Sequence, residues 1–125
     1  MEKPKIKYDE IGDTLSVVFA SDIPSVGIEL TNNILLRMNP QTREAVSLEF
    51  FDYSILAQIT DIGTRSFPLT GLTTLSEHLQ ENTLRILHSQ PVCDFLQLSA
   101  YTPSITETIP IVLIKPIVTD MTSAA

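Results

Sequence analysis

Apolar and polar residues alternate at period two through the first fifty positions, and this alternation predicts the fold class. In Lys5–Asp9, Ile6 and Tyr8 point one way while Lys5 and Lys7 point the other. The stretch Asp9-Glu10-Ile11-Gly12-Asp13 then turns the chain. Gly12 is expected to supply a positive φ there, and Asp13 a local bond to its own backbone. Leu15, Val17 and Phe19 share one face of a second strand; Val26, Ile28 and Leu30 mark a third. Ile34, Leu36 and Met38 follow, then Val46, Leu48 and Phe50. The separators are turn formers: Pro24, the pair Asn32-Asn33 and the run Asn39-Pro40-Gln41-Thr42. Asn tolerates left-handed geometry, which suits a two-residue hairpin, and Pro40 suits the second position of a type I turn. Residues 5–57 therefore predict an antiparallel β-meander of about five strands with one apolar face. A helix, a second sheet or another chain must cover that face.

Beyond Phe51 the period changes. Ser54 to Ile59 reads as a short helical turn, and residues 61–72 as a polar connector containing Gly63 and Pro68. Thr74-Leu75-Ser76-Glu77 has the capping-box pattern, and Leu75, Leu79, Ile86 and Leu87 form a stripe, so the main helix is expected over about 75–89. Pro91 stops it. Phe95 to Tyr101 and Ile109 to Val118 predict a C-terminal β-hairpin, completing a helix-plus-hairpin unit over 73–118. Pro110 and Pro116 bracket the last strand and mark it as an edge or inter-chain element. Residues 119–125 read as a tail. The fold class is α+β, mostly β, with residues 1–125 as a single domain.

Composition narrows the classes of function. Of 125 residues 43% are hydrophobic, with no Trp, so Ile, Leu and Val must build the core. The net charge of −7 argues against non-specific nucleic-acid binding, which needs clustered Lys and Arg. It suits a basic protein partner as well as plain solubility. Only 18% of residues are charged, so part of the aliphatic surface is expected to be covered by another subunit. The single cysteine, Cys93, allows no internal disulfide and fits a reducing compartment. MEKPKIKYDE has no apolar core of the signal-peptide kind, and Ile109 to Val118 is too short and too interrupted to span a bilayer. The expected setting is a bacterial cytoplasm, without membrane association.

No catalytic, cofactor or metal site is assigned. Asp9, Glu10 and Asp13 match no cation-loop spacing and read as a solvated hairpin turn. His78 and His88 lie ten residues apart on one helix, ~15 Å, too far to share an ion. Cys93 lacks an electropositive setting, and Asp94 beside it would raise a thiol pKa. Gly63-Thr64-Arg65-Ser66 lacks the Gly-Lys-Ser/Thr ending of a phosphate loop.

Ile6-Lys7-Tyr8-Asp9, an acidic turn, and then Asp13-Thr14-Leu15-Ser16-Val17-Val18-Phe19 resemble the start of the family called domain of unknown function 2283. Gly27-Ile28-Glu29-Leu30, Ile34-Leu35-Leu36 and Ala45-Val46-Ser47-Leu48-Glu49 continue the resemblance, which covers about residues 5–57. The chain departs from the family in its Asn-rich turns and in the long extension after residue 60. The resemblance implies no activity; by association it implies an antitoxin or partner-binding role.

The expected function is a non-enzymatic binding or assembly protein, acting as a homo-oligomer or with a protein partner. Ile111, Val112, Leu113 and Ile114 are the interaction candidates, as a strand that could pair with a partner's sheet. Replacing Val112 or Leu113 with Asp is expected to dissociate the assembly. Two alternatives remain open. One is a small-molecule-binding protein or small enzyme with a pocket between sheet and helix, using Tyr8, Asp13, His78 or His88. The other is an acidic antitoxin of a basic toxin.

Overall fold

A computed structural model describes residues 3–116. The alternating runs form the expected strands: β1 (Lys5–Asp9), β2 (Thr14–Val18), β3 (Val26–Thr31), β4 (Ile34–Met38) and β5 (Ala45–Phe51). All pair antiparallel, in the order β1-β2-β5-β4-β3. The successive strands β3, β4 and β5 are neighbours, and the β1–β2 hairpin docks on the far side of β5. Leu15, Val17, Leu30, Ile34, Leu36, Leu48 and Phe50 are fully buried on one face. One-sided burial accounts for the alternation, from which the buried Ser47 and Thr31 depart. The other face carries Lys5, Lys7, Ser16 and an Arg37–Glu49 ion pair at 3.6 Å.

Local chemistry differs from the expected turns at two points. Asp13, not Gly12, takes the positive φ in the first hairpin, at 49°. The Asn32-Asn33 turn is present, but neither residue has positive φ; a register irregularity between Glu29 and Thr31 adjoins it.

The covering layer comes from the second half. α1 (Tyr53–Leu56) is a single turn, and α2 (Glu77–His88) is the main helix. The N-cap of α2 is Ser76, whose side chain accepts from the Leu79 N–H at 3.2 Å, so the helix begins two residues later than the Thr74 pattern predicts. The connector is more ordered than its polarity suggests. It holds a small hairpin, β6 (Ile59–Thr60) with β7 (Gly63–Thr64), then β8 (Ser66–Pro68) and a 3-10 helix over Thr70–Thr74. A second 3-10 turn, Val92–Asp94, leads into β9 (Leu96–Ser104) and β10 (Glu107–Ile114).

β10 is not an edge strand. It lies between β8 and β9, with Ile111 to Leu113 facing Pro68 to Ser66 on one side. Pro110 is tolerated because it sits just before that stretch, where its own carbonyl accepts from the Leu69 N–H at 3.0 Å. Val118 and the predicted tail lie outside the described residues.

One cluster of buried side chains joins the two halves. Leu69, Leu72, Ile86, Leu87, Val92, Leu96, Val112 and Ile114 pack in the same core as the inner face of the first sheet. The 3-10 helix Thr70–Thr74 lies so close to β3 that a Cβ on Gly71 would stand 1.6 Å from the Glu29 carbonyl oxygen.

Candidate functional site

Three places hold the chemistry and the exposed surface from which a function can be argued. The first is a polar corner at one end of the large sheet. Asp13 closes the β1–β2 turn, and its carboxylate meets the start of α1, 41 residues on. Oδ2 accepts from the Ser54 hydroxyl at 2.6 Å. Oδ1 accepts from the Ser54 N–H at 3.0 Å and from the Tyr8 hydroxyl at 2.6 Å. The Asp13 carbonyl also accepts from the Tyr53 N–H at 3.0 Å. The Ser54 hydroxyl, then the Tyr8 hydroxyl, hold the Asp13 carboxyl below its ordinary value. Its hydrogen bond to the carboxylate pushes the Tyr8 hydroxyl up to about 12. Burial raises Tyr53, whose ring stands edge-on to Tyr8 and Phe50 at 6.1 Å. Asp52, also left-handed at φ 58°, accepts from the Asn33 amide at 3.0 Å. The acids at this corner hold turns together. Asp9 does the same, accepting from the Ile11 N–H at 3.1 Å. A carboxylate that already accepts three hydrogen bonds and lies below its ordinary pKa is a poor general base near neutral pH.

The second place is a cleft of ≈ 390 Å³ at the opposite end of the sheet, against the end of α2. Phe19, Ile23 and Pro91 form apolar walls, and Asn39, Glu44 and Asp94 give it polar groups. Its walls come from the end of the sheet and from the turn after α2 rather than from the helix itself, and Tyr8, Asp13, His78 and His88 do not line it. His78 instead lies 3.2 Å from the Arg43 guanidinium. A guanidinium only donates, so the imidazole nitrogen there accepts. His88 closes α2 in the last turn beside Arg85, whose charge complements the helix dipole. Cys93 is half-buried in the 3-10 turn. Among the described residues no three His, Cys, Asp or Glu side chains gather as a metal site requires, and no helix is long and apolar enough to cross a membrane.

The third place is the far half of the β9–β10 hairpin. β9 leaves the core after Leu98, and its last six residues, Ser99 to Ser104, are all exposed. Tyr101 is 55% exposed and Ile105, at the tip, fully so. Alternation divides the four sequence-derived interaction candidates. Val112 and Ile114 are buried in the chain's own core, whereas Ile111 and Leu113 are half-buried on the other face. Val112→Asp would thus unfold the chain before it could report on an assembly. The fully exposed part of the hairpin is on β9 and the tip, Ser99 to Thr106, within the ten residues Gln97 to Thr106 that carry no charge.

No family model, curated protein or solved structure gives a significant match to the chain.

Proposed function

We propose that the protein is a non-enzymatic assembly protein that makes protein–protein contacts through the arm formed by the far half of β9–β10. The supporting observation is the arm's exposure on both faces from Ser99 to Glu107. A two-stranded ribbon with neither face covered is marginal in water, so the working state covers it. The arm's one charged residue is Glu107, and so its geometry does not single out a basic partner such as a toxin. Tyr101→Asp and Ile105→Asp are expected to abolish co-purifying partners or self-association while leaving the unfolding midpoint of the isolated, monomeric chain unchanged. Unchanged sedimentation and unchanged co-purification in both variants would overturn the proposal.

The cleft at Phe19 favours a second reading, a small-molecule-binding protein, because ≈ 390 Å³ falls in the range of ligand pockets. A small molecule retained in native mass spectrometry and lost on Phe19→Ala would support it.

A further inference from the structure

Resting on the assembly reading, we infer that the partner of the arm is a second copy of this chain, joined by antiparallel pairing of the two free β9 edges into one six-stranded sheet. Among the described residues β9 pairs with β10 alone, so its other edge carries unpaired backbone donors and acceptors. Proteins protect such edges with charge, proline, bulges or a covering segment. β1 carries Lys5 and Lys7, and β3 is approached by the backbone of Gly71. The far part of β10 carries Glu107 and Pro110. β9 is the longest strand, and its free edge has only Pro103 near the tip.

The charge pattern identifies the occupant. Two copies of a chain with net charge −7 repel each other wherever acids meet. A heterologous partner would exploit those acids by complementarity. Gln97 to Thr106 offers it none, yet this stretch is where like can meet like without penalty.

A two-fold axis makes the contact self-complementary. The greatest overlap of Leu96–Ser104 with itself puts Ala100 on the axis, opposite its own copy. Leu98 then faces Thr102, and Ser99 faces Tyr101. Pro103, which lacks a donor, falls opposite Gln97 near the end of the overlap. Ser99 and Tyr101 share the face that carries Ile111 and Ile109 on β10, so the Tyr101 rings would cover the half-buried aliphatic side chains of the facing copy. An edge contact of this length lies at the small end of specific interfaces, below ~1,200 Å² in total, so the dimer should be reversible.

Sedimentation equilibrium on the full chain, over ~1 to ~200 µM, tests the inference at the weak end of interface size. The expected result is a concentration-dependent dimer. Ser99→Lys with Tyr101→Lys places like charges across the axis and is expected to weaken it at least tenfold. Ser99→Glu with Tyr101→Lys places opposite charges there and is expected to restore it. In a Cys93→Ser background, Ala100→Cys should cross-link under oxidant. Ser104→Cys should not, since its copies would lie ~27 Å apart. A native monomer throughout, or a dimer indifferent to the double-lysine change, would overturn the inference. If the chain is monomeric but Tyr101→Asp still loses a co-purifying protein, self-pairing fails and the assembly reading stands. If that variant loses nothing either, both fail.

Discussion

On the large sheet both outer strands are guarded. Lysines on β1 oppose a neutral partner strand, and β3 lies against the 3-10 helix through Gly71. On the small sheet one flank is guarded by β8, Glu107 and Pro110, while β9 continues bare for six residues beyond the core. The two sheets share one hydrophobic cluster, so the contrast does not come from separate folding units. It shows that edge protection is a local matter of which residue stands at each edge. The chain has the means to protect an edge and does not use them on β9. An exposed, uncharged edge of this length is the surface that the proposed assembly would use.

The sharpest way to break this contrast is to remove a guard. Gly71→Ala forces a methyl into the Glu29 carbonyl and is expected to cost ~4 kcal/mol, in the upper tail for one substitution. Urea denaturation measures it, and a cost below ~1 kcal/mol would show that the 3-10 helix does not press on β3. Next in size is the root of the arm. Leu96 is fully buried where β9 leaves the core, and Leu96→Ala should cost about 3 kcal/mol.

The polar corner at Asp13 ties the large sheet to α1 and gives a pH-dependent test. Because the folded Asp13 carboxyl lies below its ordinary value, its ionised form contributes stability above the unfolded pKa of ~3.9. That contribution is lost as the pH falls through the folded value. Asp13→Asn, which tolerates the same backbone, should lower the midpoint at neutral pH and flatten the acid limb. Tyr8 acts at the other extreme. Its folded value of about 12 means a contribution that is whole below the unfolded pKa of ~10 and lost as the pH rises toward the folded one. Tyr8→Phe should weaken the alkaline limb, with Tyr53 supplying what remains. A midpoint profile unchanged at both extremes would remove the corner from the account of stability.

The smallest stability effects belong to the arm. Tyr101→Ser and Ile105→Ser should each change unfolding by less than ~0.5 kcal/mol, because neither side chain is buried within its own chain. A cost above ~1 kcal/mol, at a concentration where the chain is monomeric, would mean that the arm packs on its own chain.

The five strands of the large sheet and their buried faces were legible because one-sided burial writes itself as alternation. Leu15, Val17, Leu36 and Leu48 were read correctly from spacing alone. The helix was legible from its apolar stripe, and its start was missed by two residues because Ser76, not Thr74, reaches an orphan N–H. β8 was not legible. Its three residues hold one half-buried aromatic, Phe67, and it is a strand only because β10 lies beside it. Tyr8 and Asp13 stood out in the opening stretch, but the role of the acid depends on Ser54, which no local pattern connects to it. The same limit applies to the interaction candidates. Proline placement marked β10 as an edge or inter-chain element, whereas pairing put β10 in the middle of its sheet, with β8 and β9 at the edges.

By itself the sequence determined the class of fold, the faces of the first five strands, the helix and the existence of a C-terminal hairpin. These depend on periodicity and turn chemistry within a few residues of each position. Only the tertiary structure decided which strands became neighbours, which carboxylate became a staple, and which edge stayed open. Those outcomes depend on residues far apart in the chain meeting across the core, and a one-dimensional pattern carries no distance between them.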